Sequence, residues 1–94
     1  MFDGPAMSDY PGGDLVAEGL RDLAARKESA SALLVSMATA RLRRLGLEVP
    51  TGFPDPEQRL YAMLAKEDPQ SAHGRYNALV RRLVSFERAA ECAI

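Results

Sequence analysis

Two aspartate-proline pairs, Asp55-Pro56 and Asp68-Pro69, constrain this chain more than any other feature. Proline at the first position of a helix sacrifices nothing, because the amide there has no intrahelical acceptor. An aspartate just before it accepts from the exposed amides of the first turn. Each pair therefore predicts a helix start, and each is followed by apolar residues at helical spacing. After Asp55, with Gln58 at the third helical position completing a capping box, Leu60, Tyr61, Met63 and Leu64 predict a short amphipathic helix. After Asp68, the series Ala72, Tyr76, Leu79, Leu83, Phe86 and Ala90 keeps heptad spacing almost to the chain end and predicts one long helix.

The N-terminal half is less sharply punctuated. Asp14 is a suitable N-cap, and Val16, Leu20, Leu23, Ala30, Leu34, Met37 and Leu45 step at helical spacing behind it. Gly46 ends the tract, with Arg41, Arg43 and Arg44 in the last turns where cations suit the helix dipole. Lys27 falls in the middle of the apolar stripe, where a buried seam tolerates it poorly. Two readings of Asp14 to Leu45 follow: one helix, or two separated by a turn at Arg26-Lys27-Glu28-Ser29, with Ser29 or Ser31 capping the second. Leu47 to Pro56 holds three prolines and a glycine and reads as a loop. Residues 1–13, rich in Gly, Pro and Asp, read as a flexible N-terminal leader within which Met7 is an alternative start, leaving 14–94 as a single helical domain.

No segment alternates in polarity with β-branched residues and no Asn-Gly turn occurs, so the predicted fold class is all-α: a small helical bundle of three or four helices. Its expected long antiparallel pair is the N-terminal tract and the final helix. Helices of about 24 to 32 residues would be about 36 to 48 Å long, well beyond what the short middle helix covers. That mismatch predicts completion by homodimerisation, with Tyr76, Leu79, Leu83, Phe86, Leu34 and Met37 as interface candidates. The alternative is a compact monomer with a broken first helix.

Composition narrows the setting. Ninety-four residues, 47% hydrophobic and 27% charged, support one domain with a small core. Twelve basic against thirteen acidic side chains leave a formal charge of -1, so no global basic field draws nucleic acid or an anionic membrane. The single cysteine, Cys92, is inconsistent with an internal disulfide framework and suits a reducing cytoplasm. Neither a signal peptide nor an apolar run of membrane-spanning length is present, so the expected location is cytoplasmic, away from the membrane.

Few residues suggest chemistry. The lone histidine, His73, has no His or Cys and no carboxylate one helical turn away, so no metal or other cofactor is expected. Asn77 shares its helix edge and makes a small polar patch with it. Glu87 projects close to the stripe of Tyr76, Leu83 and Ala90, and Arg41 lies beside Leu34 and Leu45. Two readings of Glu87 follow: it pairs with Arg41 or Lys27 of the same or a partner chain, setting register at some cost in stability, or it lies at the wet margin of the stripe near a helix end. Arg81, Arg82 and Arg88 lie opposite the stripe and, with Arg75, are candidate nucleic-acid contacts. The favoured reading is a small non-catalytic helical interaction protein, a regulatory or assembly factor, acting as a homodimer and docking a larger protein. The alternative is a helical nucleic-acid-binding regulator using the arginine strip.

Overall fold

The computed structural model describes residues 7–93, all of whose regular structure is helical. A 3-10 turn at Met7–Asp9 precedes five α-helices: α1 (Gly13–Ala24), α2 (Ala30–Met37), α3 (Thr39–Arg44), α4 (Pro56–Glu67) and α5 (Ala72–Ala93). The all-α class is as expected, with more helices than the three or four anticipated. The first six residues of the N-terminal leader lie outside the described residues. Met7 and Tyr10 pack against the core, and the Tyr10 ring meets Phe86 edge-on at 6.3 Å.

The tract from Asp14 to Leu45 is three helices. Its first break falls where Lys27 interrupts the stripe. The Arg26 amide donates to the Leu23 carbonyl and the Lys27 amide to Asp22, the pair of bonds that closes a Schellman C-cap. The left-handed position of that motif, usually glycine, is Arg26 with φ 55. Lys27 then lies exposed in the turn. Ser29 caps α2 by accepting from the Ala32 amide at 3.1 Å, while its own hydroxyl donates to Asp22 at 2.7 Å. The second break, at Ala38, had no signal in the apolar pattern. Hydroxyls of Ser36 and Thr39 donate to the Ala32 and Ser36 carbonyls there, competing with the helical ladder. Gly46, at φ 97, ends α3 with the same Schellman bonds.

The capping expectations need correction at three aspartates. Gly12, not Asp14, stands at the N-cap of α1, and Asp14 lies in the first turn, paired with Arg82. Asp55 does occupy the N-cap of α4, but its backbone is left-handed and its side chain makes no capping bond, so no capping box forms with Gln58. Asp68 ends α4 and accepts from the Gln70 amide in a local turn, and α5 begins only at Ala72. Pro56 opens α4 as expected, Pro69 lies in the turn ahead of α5, and the expected aspartate side-chain caps do not form.

At the centre lies α2, whose residues Ser31 to Val35 are all buried. An eight-residue helix with apolar groups nearly all round is stable only when surrounded. It packs against α1, α4 and α5. Gly19 makes the α1 crossing possible: a Cβ there would stand closer than 3.0 Å to the Ser31 carbonyl and the Val35 side chain. Gly12 similarly faces the Arg82 carbonyl of α5. Loop 46–55 is tied to α2 by Ser36, whose hydroxyl accepts from the Phe53 amide at 3.0 Å.

These breaks remove the geometry behind the expected long pair. At 12 residues α1 is about 18 Å long, against about 33 Å for α5. The N-terminal half of α5 rests on α4, and its later part meets the α1 region. The radius of gyration, 12.9 Å, is close to the ~12–13 Å of a single globular chain this long. Leu34, Leu83 and Phe86, three of the interface candidates, are buried within this one chain. Tyr76, Leu79 and Met37 are partly buried against its core.

Candidate functional site

The antiparallel step from α4 to α5 sets two tyrosines side by side. Tyr61 follows Leu60 and precedes Leu64, the two residues α4 buries, so it lies at the edge of the buried face. Tyr76 lies one turn beyond Ala72 on α5. The ring centroids are 5.8 Å apart with planes inclined at 56°, within the range of favourable aromatic pairs. Tyr61 is 40% exposed, the one large hydrophobic side chain so exposed among the described residues. Glu57, Gln58 and Ala62 complete an open notch of about 460 Å³ with almost wholly apolar walls. Burial pushes the Tyr76 hydroxyl pKa above its ordinary value, and the nearby negative charge of Glu57 adds to the rise.

A second depression, about 420 Å³, is lined by Leu20, Ala24, Glu48, Val49 and Pro50 where α1 meets the long loop. It has no aromatic wall. Neither depression is lined by His73 or Glu87.

Glu87 is buried, 5% exposed, with an oxygen 3.8 Å from Arg41. Arg41 also donates to Glu91 through two guanidinium nitrogens. Burial raises the Glu87 carboxyl pKa; Arg41 opposes that rise and Glu91 adds to it. Bonding to Glu91, with the two carboxylate charges, raises the Arg41 pKa. The cluster joins α3 to the end of α5 inside one chain. His73 is exposed and shares a 3.2 Å contact with the Asn77 amide. Fourteen residues of helix, about 21 Å, separate it from Glu87, so the two cannot act on one reacting atom. Among the described residues no group of three or more His, Cys, Asp or Glu side chains is placed to hold a metal ion.

The arginines do not form a uniform strip. Arg75 pairs with Glu67 at 2.9 Å and Arg82 with Asp14 at 3.0 Å, whereas Arg81 and Arg88 are exposed without an ion pair among the described residues. Cys92 is exposed and free. No described helix is long and apolar enough to cross a membrane.

Sequence reasoning placed Tyr76 in the apolar stripe but did not single out Tyr61 or Glu57. The available signal was a tyrosine following a leucine in a helix whose partner carries a tyrosine near its start. Arg26 was also missed as an anchor: its guanidinium lies over the Phe53 ring and donates to the Thr51 carbonyl. Comparison with known proteins finds no matching family model, curated protein or solved structure.

Proposed function

We propose that this chain is a small non-catalytic interaction protein, a regulatory or assembly factor that docks a larger protein through the α4–α5 face. One observation carries the reading: the Tyr61–Tyr76 notch concentrates exposed apolar surface in a protein whose other large hydrophobic groups are at least partly covered among the described residues. Tyrosine is enriched at protein interfaces because it brings large apolar area at low conformational cost together with a polar tip. A homodimer would use the same face, so self-association and partner docking compete for it. The free Cys92 thiol suits a reducing cytoplasm.

A photo-reactive residue placed at position 61 tests this in the cells of origin, with position 85 on the outer face of α5 as control. Crosslinking to one defined protein from 61 and not from 85 supports docking. Crosslinking only to a second copy supports the homodimer alone, and equal, dispersed crosslinking from both positions overturns the reading.

The nucleic-acid alternative rests on Arg81 and Arg88, which share the outer face of α5. Its requirement is binding that falls steeply with salt and is lost when both become glutamate.

A further inference from the structure

We propose that the α4–α5 notch is a receptor for a cationic side chain, a lysine or arginine presented by the docked protein. This rests on the docking role proposed above and adds the chemistry of the ligand. Three observations converge on it.

The first is the aromatic pair. The faces of Tyr61 and Tyr76 carry the negative part of the ring quadrupole, and the two residues, their rings inclined at 56° with centroids 5.8 Å apart, line the same notch. An ammonium or guanidinium over such faces is attracted electrostatically, and most strongly when it leaves water.

The second is Glu57, which lines the same notch. It stands in the first turn of α4, where the helix end contributes about half a positive charge. The notch surface is almost wholly apolar, so the exposed Glu57 carboxylate stands at its rim, where its full charge outweighs that half charge. Burial is the main cause of the raised Tyr76 pKa, and the Glu57 charge adds to it.

The third concerns the cations already present. Arg59, on the same helix, pairs with Glu28 at 2.6 Å, and Arg75, beside Tyr76, pairs with Glu67. Among the described residues the cation over an aromatic ring is Arg26 on Phe53, at a different corner of the fold. The chain thus directs its own neighbouring arginines to carboxylates outside the notch. Apolar walls suit the methylene stem of lysine or arginine, which packs on hydrocarbon while its head seeks charge. An acidic peptide would meet Glu57 with like charge, and a plain aliphatic chain would gain nothing from that carboxylate.

The test uses the full chain and three capped tripeptides, Gly-Lys-Gly, Gly-Arg-Gly and Gly-norleucine-Gly, with ring-proton shifts of Tyr61 and Tyr76 followed by NMR. Lysine or arginine peptide is expected to shift both rings saturably and to bind at least about fivefold more tightly than norleucine peptide. Glu57→Gln is expected to weaken cation binding about three- to tenfold and leave norleucine binding unchanged. Tyr61→Leu keeps apolar area but removes one aromatic face, so it should abolish the cation preference; an unchanged urea midpoint establishes that the variant folds. Norleucine binding as tight as lysine and arginine overturns the cation receptor while leaving apolar docking to be decided by the crosslinking above. Unmoved rings with every peptide overturn it as well. Cation binding without any protein crosslink from position 61 upholds the receptor chemistry and removes its assigned partner.

Discussion

The guanidinium of Arg26 lies 4.5 Å from the centre of the Phe53 ring, and its Nη1 donates to the Thr51 carbonyl at 2.5 Å. A residue in the left-handed turn that ends α1 thereby holds the loop leading to α4. The conformation at φ 55 costs about 1 kcal/mol for a residue with a Cβ, and the stacked cation returns about 0.5 to 1 kcal/mol. Arg26→Ala keeps the backbone cost and loses both contacts, so it should destabilise by about 1 to 2 kcal/mol. Arg26→Gly loses the contacts and relieves the backbone, so its urea midpoint should lie above that of Arg26→Ala. A glycine variant no more stable than the alanine one would show that the turn carries no strain.

Two glycines in helices should respond to alanine with opposite signs. At Gly19 the new methyl meets the Ser31 carbonyl and the Val35 side chain closer than 3.0 Å, so α1 must separate from α2. A loss of at least about 2 kcal/mol is expected despite alanine's better helix propensity. At Gly74, on the exposed side of α5, nothing lies within 4 Å of the added methyl. There the propensity acts alone and should stabilise by about 0.5 to 1 kcal/mol in denaturant titrations.

The raised Glu87 pKa fixes the sign of a pH effect. A carboxyl that holds its proton more tightly in the folded chain than unfolded favours folding when protonated. Its unfavourable effect on stability therefore develops as pH rises from about the ordinary value, 4.5, through the raised one. Glu87→Gln retains the shape without the charge. The stability of Glu87→Gln relative to wild type should increase through that window and then level off, and Arg41 keeps Glu91 in either case. Asp14 acts oppositely: the Leu15 backbone amide, the leading cause, and Arg82 both lower its pKa below 3.8. Its contribution is present above 3.8 and disappears as pH falls through the lowered value. The two effects occupy separate pH ranges, so urea midpoints from pH 2 to 8 for both proteins resolve them.

Leu83 distinguishes core from interface. It is buried inside the single chain, so Leu83→Asp should unfold the protein and Leu83→Ala should cost about 2 to 5 kcal/mol, with neither producing a folded species of lower mass. Arg82→Glu, exposed on the opposite side, should leave circular dichroism and native mass as they are. A folded Leu83→Asp protein of reduced mass would move Leu83 to an interface between copies.

Local sequence marked the helices well and their mutual arrangement poorly. Pro56, Gly46 and Ser29 act through their immediate neighbours, and each stands at a helix boundary where its chemistry predicts one. Lys27 marked the first break for the same reason, because a lysine in an apolar stripe has few places to go. The Ala38 break depends on Ser36 and Thr39 hydroxyls and on the Phe53 amide 17 positions from Ser36, which helical periodicity does not encode. The Arg41–Glu87 proximity was only one of the arrangements the stripes allowed, since Lys27 was an equal candidate partner and a wet-margin Glu87 an alternative; packing of α3 on the end of α5 decided it. The Tyr61–Tyr76 notch was not, since a tyrosine beside an apolar stripe reads as core until its neighbours are placed.

The buried position of α2 bears on how the chain must be made. Its run from Ala30 to Met37 is too short to persist as an isolated helix, and its natural covering includes α4 and α5, which lie later in the chain. During synthesis the Leu33, Leu34 and Val35 side chains leave the ribosome before the segments that enclose them. In that interval the nascent protein presents a sticky apolar stretch, partly shielded by α1 across Gly19, to whatever chaperone or neighbouring polypeptide is near. Truncations ending before residue 72 should consequently aggregate on refolding while the full chain returns to solution.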